Sequence, residues 1–317
     1  MNHLFRKATD KEWDEIVQNN NSATFFHTRV WYEIIARNFG FNVETKLLEF
    51  ARGVRVLLPL ASSKIFKGLA QRYISSPLGT YGGFLSDSGL LEEEKEVHYK
   101  CLFSIKNLVL RENPYNELIS DFKGYTKEDF TQVIDLERPN NVLIAGMNKE
   151  QVPRKVRQAE RCQLQLRKIG EECIGNYYEI YKNCRQRWGG ATNNYALAFF
   201  KDLCGVKNCD FWGVFTADNE LICGGLFLKN NRHVVSWLSI AATRALAMKP
   251  YEYLYFNLIF HYKEQGYKWF DFNPSGGHEG VVKFKAGFGA KKRNVREYVS
   301  RFILKKAIGY INRIFNV

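Results

Sequence analysis

Lys285 stands between Phe284 and Phe288 in the run Gly280-Val281-Val282-Lys283-Phe284-Lys285-Ala286-Gly287-Phe288-Gly289. Burial of the two rings would hold the lysine stem while its ammonium meets a cleft. A cation fixed in this way stabilises an oxyanion; the plainer alternative is a surface lysine on a helix. Upstream, Asp271 is flanked by Phe270 and Phe272. On a strand its carboxylate points away from both neighbours. There it can accept a proton or orient an amine, or it can simply hold the loop that follows. Arg154, Arg157 and Arg161 fall three and four apart and so share one helix face. Such a face can clamp phosphate or carboxylate, or it can be solvated and idle. His278 lies in the Gly276–Gly280 loop beside the lysine segment and is the histidine best placed for a substrate contact.

Other chemistries leave no trace. The sequence has no G-x-S-x-G elbow, no Walker loop, no H-E-x-x-H and no dinucleotide-type glycine fingerprint. Its seven cysteines match no zinc spacing and read as reduced core thiols, so no metal is expected.

The charge is uneven. Residues 1–148 carry 18 Lys/Arg against 19 Asp/Glu, and residues 149–317 carry 28 against 14. Solubility alone does not require that asymmetry. The second half is expected to face something anionic: nucleic acid, a nucleotide or phosphate-bearing substrate, or an acidic membrane surface. Residues 1–20 lack an apolar core for a signal peptide, and no uncharged run approaches the length of a spanning helix. A cytoplasmic location is expected.

The elements that must position these residues follow from periodicity. Lys11–Gln18 and Thr28–Phe39 read as helices, and Asn42–Ala51 and Val54–Ser62 as strands joined across Arg52-Gly53. Leu90–Arg111 reads as one long helix with an acidic first turn. Asn116–Ser120 and Phe130–Leu136 read as strands. Pro139-Asn140-Asn141 then breaks the pattern, which places a boundary near residue 145: domains 1–145 and 146–317. A basic helix follows (Lys149–Cys162), then the strand Gln163–Lys168 and the helices Ile174–Trp188 and Tyr195–Leu203. Three strands come next (Asp210–Thr216, Glu220–Leu228, His233–Ile240). A helix over Pro250–Gln265 is opened by proline and stopped by Gly266, and Trp269–Phe272 is a short strand. The chain ends in a basic amphipathic helix, residues 299–317, which can lie on an anionic membrane or dock on the core. Both halves run helices, a strand meander, a longer helix and strands again: an α/β class with mixed sheets, apparently twice over.

Four stretches, in order, carry a resemblance. They are Phe26-His27-Thr28-Arg29-Val30-Trp31, then Ser76-Pro77 followed by Tyr81-Gly82-Gly83, then Arg154-Lys155-Val156-Arg157-Gln158-Ala159. The last joins Gly266-Tyr267-Lys268-Trp269-Phe270-Asp271-Phe272 to the Gly280–Gly289 run. Together they resemble the FemABX-like acyltransferases, the peptidyltransferase branch of the GNAT superfamily, with their BioF2-like relatives. That resemblance implies tandem GNAT-like domains that transfer an acyl or aminoacyl group to an amine. The donor would be acyl-CoA or aminoacyl-tRNA, the acceptor an amine such as a cell-envelope precursor, and no cofactor would be permanently bound. Within it Lys285 would face the oxyanion and Asp271 the amine. Arg154 and Arg157 would hold the anionic donor, and Trp31, Tyr81, Phe284 and His278 would contact substrate. Arg37 is the cation nearest the place where the peptidoglycan branch carries a substrate-binding lysine. The sequence departs from acetyl-CoA enzymes at Ala242–Pro250, where their pyrophosphate loop has glycines and this chain has none.

Two rival readings remain: an RNA-binding protein without catalysis, and a peripheral membrane protein held by residues 299–317. The absence of a recognised RNA module weighs against the first of them, and DNA is not among the expected partners.

Overall fold

The computed structural model describes residues 3–65, 68, 70–116, 127–190 and 193–300. The expected C-terminal helix and the strand expected over Asn116–Ser120 lie, but for their first residues, outside the described residues.

The first unit runs to Phe130 and takes back the chain from Arg293. In order it contains β1 (His3–Arg6), α1 (Asp10–Asn19), α2 (Arg29–Phe39), β2 (Asn42–Phe50), β3 (Arg55–Ile65), β4 (Ala70–Ile74), β5 (Leu85–Ser86), α3 (Glu92–Ser104) and β6 (Leu108–Arg111). The second unit, Thr131–Lys292, continues with β7 (Phe130–Asp135), α4 (Asn140–Gly146), α5 (Pro153–Arg161), β8 (Gln165–Ile169), α6 (Glu171–Arg187), α7 (Leu197–Cys204), β9 (Cys209–Phe215), β10 (Leu221–Asn230), β11 (His233–Ala241), α8 (Pro250–Glu264), β12 (Trp269–Asp271), α9 (Glu279–Gly287) and β13 (Lys291–Asn294). Finally β14 (Glu297–Val299) joins the first sheet.

The sheet orders are β1-β2-β3-β4-β6-β14, with β5 on β3, and β13-β7-β12-β11-β10-β9-β8. The strand pairs described are antiparallel except for one parallel pair in each sheet: β4 with β6, and β11 with β12. Parallel neighbours need a crossover, and a helix supplies it each time, α3 in the first unit and α8 in the second. The repeat of element order expected from the sequence is therefore real.

Local chemistry explains the boundaries. The hydroxyl of Thr28 accepts the Trp31 N–H at the start of α2, and Gly40 ends that helix at φ 68°. The long helix expected over Leu90–Arg111 stops at Ser104. Leu108, Val109 and Leu110 are all buried and form a strand between β4 and β14. A continuous apolar run reads equally as buried helix or central strand. The strand around Phe130–Leu136, expected in the first domain, is hydrogen-bonded to β12 of the second sheet. The Pro139-Asn140-Asn141 break opens α4.

In the second unit the helices cover both faces of the sheet. Phe227 on β10 packs against Tyr255 and Tyr262 of α8. Gly224, three residues earlier and so on the opposite face, lies under the ring of Tyr177 of α6. No helix among the described residues is long and apolar enough to cross a membrane.

Candidate active site

The second sheet opens along one seam. β11 and β12 pair through His233↔Trp269, Val234↔Phe270 and Val235↔Asp271. β12 then ends, while β11 runs on from Ser236 to Ala241. At the point of parting β11 carries a bulge: Phe227 of β10 faces Ser236 while Leu226 faces Leu238, so Trp237 is the extra residue. In a regular strand Ser236 and Ser239 would point to opposite faces. The bulge puts both on the α8 face, where Tyr255 meets them at 2.8 and 3.0 Å. Trp237 turns to the other face, its ring 5.1 Å from Tyr195 and 5.6 Å from Phe199.

The far wall of the opening is the loop after β12. Asp271 is fully buried. Its Oδ1 accepts the hydroxyl of Thr131 on β7 and, at 2.7 Å, the backbone N–H of Asn273. Asn273 sits at φ 61°, a left-handed conformation in which an Asn is tolerated. The helix α9 then brings Lys285 back over this loop. Its Nζ donates to the Asn273 carbonyl at 2.6 Å and to Ser275 Oγ at 2.8 Å, and the residue is only 6% exposed. Gln132 of β7 ties the same helix down through Nε2 to the Val282 carbonyl at 3.1 Å. Phe284 fills the gap beside α8, its ring within 6.4 Å of Tyr251, Tyr255 and Phe288. A positive charge is thus anchored at the C-terminal end of β12, where the two strands separate.

This geometry has relatives. Residues 148–285 match the family model described as an acetyltransferase (GNAT) domain. They form a GNAT acyltransferase domain. The whole chain also superposes on solved structures at low identity. FemX matches at a TM-score of 0.72 and 12% identity over 100% of both chains. L-PGS from Bacillus licheniformis matches at 0.55 and 13% over 90% of this chain and 95% of that one. A tandem GNAT protein from the clavulanic acid biosynthesis pathway matches at 0.51 and 11% over 93% and 97%. The fold is therefore the tandem GNAT fold, FemX-like along its full length. No curated protein sequence matches the chain.

Within the GNAT domain the glycine-free segment between β11 and α8 winds into a 3-10 helix, Thr243–Met248. Ala245 and Lys249 donate their N–H groups back into it, to the carbonyls of Ala242 and Leu246, and α8 opens with Pro250, which has no N–H. α5 lies against this turn: Lys155 pairs with Glu252 at 3.0 Å, and Gln158 donates to the Ala247 carbonyl at 2.9 Å. That leaves Arg154, Arg157 and Arg161 on the exposed side of α5, with Glu150 3.6 Å from Arg154. His278 is exposed at the start of α9.

Structure brings together Lys285, Asp271 and Phe284, with His278 on the same loop. Trp31, Tyr81 and Arg37 belong to the first unit. Trp31 and Tyr81 are fully buried, both against Phe26. They offer no face to a ligand here, because the motifs that contain them form one clamp. His27 Nδ1 accepts the Thr24 N–H at 3.1 Å, and its Nε2 lies 3.0 Å from the Gly82 carbonyl. An amide donor on one nitrogen and a carbonyl on the other fix the neutral tautomer with its proton on Nε2. Burial lowers the pKa of this ring to about 4. Arg37 lies exposed in the last turn of α2.

Sequence reasoning missed Ser236, Ser239, Tyr255 and Ser275. The serines of β11 stand three apart in a segment that alternates like a strand, and nothing in the letters marks the bulge that aligns them.

Proposed function

We propose that the chain is an N-acyltransferase that moves an aminoacyl group from an aminoacyl-tRNA to an amine, forming an amide. The observation that carries this reading is the ammonium of Lys285 fixed at the mouth of the β11–β12 opening. The amine nitrogen bonds to the carbonyl carbon of the donor ester, and the π pair moves to the oxygen. When that pair returns, the bond from carbon to the ribose oxygen breaks, and the leaving oxygen takes the proton that the amine sheds. The field of Lys285 stabilises the oxyanion. Asp271 does not touch substrate in this scheme; it holds Asn273, and through it the loop that Lys285 grips.

Three features favour an aminoacyl-tRNA over an acyl-CoA. The turn before α8 lacks glycine and turns its amides inward, so it offers no backbone cradle for a pyrophosphate. α5 presents three exposed arginines beside that turn. The second half of the sequence has twice as many basic as acidic residues. FemX and L-PGS share the fold.

The test is transfer of a labelled aminoacyl group from a charged tRNA pool to small amines, with acetyl-CoA as the competing donor. Transfer from tRNA that disappears in Lys285→Met supports the reading. Transfer from acetyl-CoA alone would replace the donor. Salt-dependent tRNA binding without transfer from either donor would leave an RNA-binding protein.

A further inference from the structure

We infer that Ser239 is a further catalytic residue, whose hydroxyl donates to the carbonyl oxygen of the acyl group in transit, with Tyr255 as its positioning residue. This rests on the acyl-transfer reading above.

The three hydroxyls of Ser236, Tyr255 and Ser239 form a directed chain. Tyr255 has one O–H, and it points at Ser239 Oγ. The 2.8 Å contact between Ser236 and Tyr255 must then be donated by Ser236. Each hydroxyl donates to the next, and each polarises the one it meets. Only the proton of Ser239 is left to point beyond the chain. Burial differs in the same sense: Ser236 is 3% exposed, whereas Ser239 is half-buried.

The chain cannot swing aside. The ring of Tyr255 lies between 5.0 and 6.2 Å from those of Phe272, Phe284, Phe288, Phe227 and Phe270. Ser239 is placed by β11 beyond Val235, the last residue paired to β12. The opposite wall, the loop beyond Asp271, holds the Lys285 ammonium. One neutral donor stands on β11 and one cation on the loop beyond β12, and a carbonyl oxygen with two lone pairs can accept from both. As the amine nitrogen bonds to carbon, the π pair that moves to oxygen meets both. Ser239 keeps its proton while the pair arrives and returns.

A structural role for the trio would be to tether Tyr255 and nothing more, so the test needs a kinetic split. Transfer to a small amine is measured for wild type, Ser239→Ala, Ser239→Thr and Tyr255→Phe, with melting temperatures alongside. Ser239→Ala is expected to lower kcat about 100-fold, the scale for loss of one oxyanion donor, with KM nearly unchanged. Ser239→Thr should recover most of that loss. Tyr255→Phe should lower kcat by itself and add nothing to Ser239→Ala. Wild-type kcat in Ser239→Ala, with or without a lower melt, overturns the assignment and leaves the acyl-transfer reading standing. If Ser239→Ala does not fold, Tyr255→Phe decides, because it keeps the packed ring: full kcat there overturns the proposal. A wild-type protein that transfers from neither donor removes both readings at once.

Discussion

The ammonium of Lys285 lies 2.6 Å from the backbone oxygen of Asn273, whose own N–H is held by the Asp271 carboxylate. One residue therefore does two jobs: it closes the loop after β12 and places a charge at the opening of the sheet. The jobs separate by substitution. Lys285→Met keeps the stem and loses the charge. Transfer is expected to fall about 100-fold or more, the scale for loss of an oxyanion partner. The uncovered Asn273 carbonyl should cost about 1–3 kcal/mol of stability. Lys285→Arg keeps the charge on a planar group whose donors cannot reproduce both contacts, so intermediate activity is expected. Single-turnover transfer and thermal melts read the two effects independently. Full activity in Lys285→Met would remove the lysine from the mechanism.

Asp271 gives a sharper contrast. Its Oδ1 accepts from both Thr131 and Asn273, and the side-chain amide oxygen that Asp271→Asn puts in the same place can accept the same two. That change is expected to keep the fold and to leave transfer within about tenfold, whereas a general base would lose about 100-fold or more. Asp271→Ala leaves two buried donors without an acceptor. It should destabilise by about 1–3 kcal/mol for each and loosen the loop. Collapse of kcat in Asp271→Asn at an unchanged melting temperature would make Asp271 the base.

The two glycines after Tyr81 answer to different constraints. Gly83 sits at φ 86°, which a side chain strains. Gly82 lies outside the left-handed region, but an added Cβ would stand well inside van der Waals contact distance of the Ser75 carbonyl oxygen. Backbone cannot yield as a side-chain tip can. Gly82→Ala is therefore expected to cost about 3 kcal/mol or more, and to loosen the Gly82 carbonyl from His27. Because the strain lies in the first unit, the loss should appear in melts or denaturant titrations. An unchanged melt would show that Ser75 and Gly82 can separate freely.

What the sequence revealed here divides along a physical line. The helix over Thr28–Phe39, the two strands after it and the Arg52-Gly53 turn rest on local signals, and they appear as read. Lys285 and Asp271 were legible because flanking phenylalanines announce a charged residue held in an apolar setting. Leu108–Arg111 misled because an apolar run has no period to betray its state. The strand around Phe130–Leu136 misled for another reason: which sheet a strand joins depends on its partner, and β12 lies far along the chain. The resemblance implies substrate contacts for Trp31 and Tyr81, and the structure buries both in the core against Phe26. The Ser236–Tyr255–Ser239 chain depends on one extra residue in a strand, and register cannot be read from composition.

Two histidines of the first unit should set the acid limit of stability. Burial lowers both His27 and His98 from 6.5 to about 4. The unfolded chain binds these protons near pH 6.5, while the folded chain resists them until about pH 4. Between those values the unfolded state holds more protons, so stability is intact above pH 6.5 and falls as pH drops towards 4. Each histidine can contribute up to about 3 kcal/mol to that loss. The carboxylate of Glu12, held down to about 2 chiefly by the Arg6 guanidinium, begins to matter only below the ordinary carboxylate range. The window from pH 6.5 to 5 therefore reports on the histidines. His27 cannot be replaced without breaking its bonds to Thr24 and Gly82. His98 can: it packs 4.4 Å from the ring of Phe84, and its buried Nε2 has no partner among the described residues. In His98→Leu the orphaned nitrogen is gone, and of this pair only His27 still resists protonation. The variant is expected to be as stable as wild type at pH 7.5 or about 1 kcal/mol more so. It should lose roughly half as much stability between pH 6.5 and 5. Parallel melts of the two proteins at pH 7.5, 6.5, 5.8 and 5 measure this directly; superimposable curves across that range would mean His98 takes its proton without unfolding the unit.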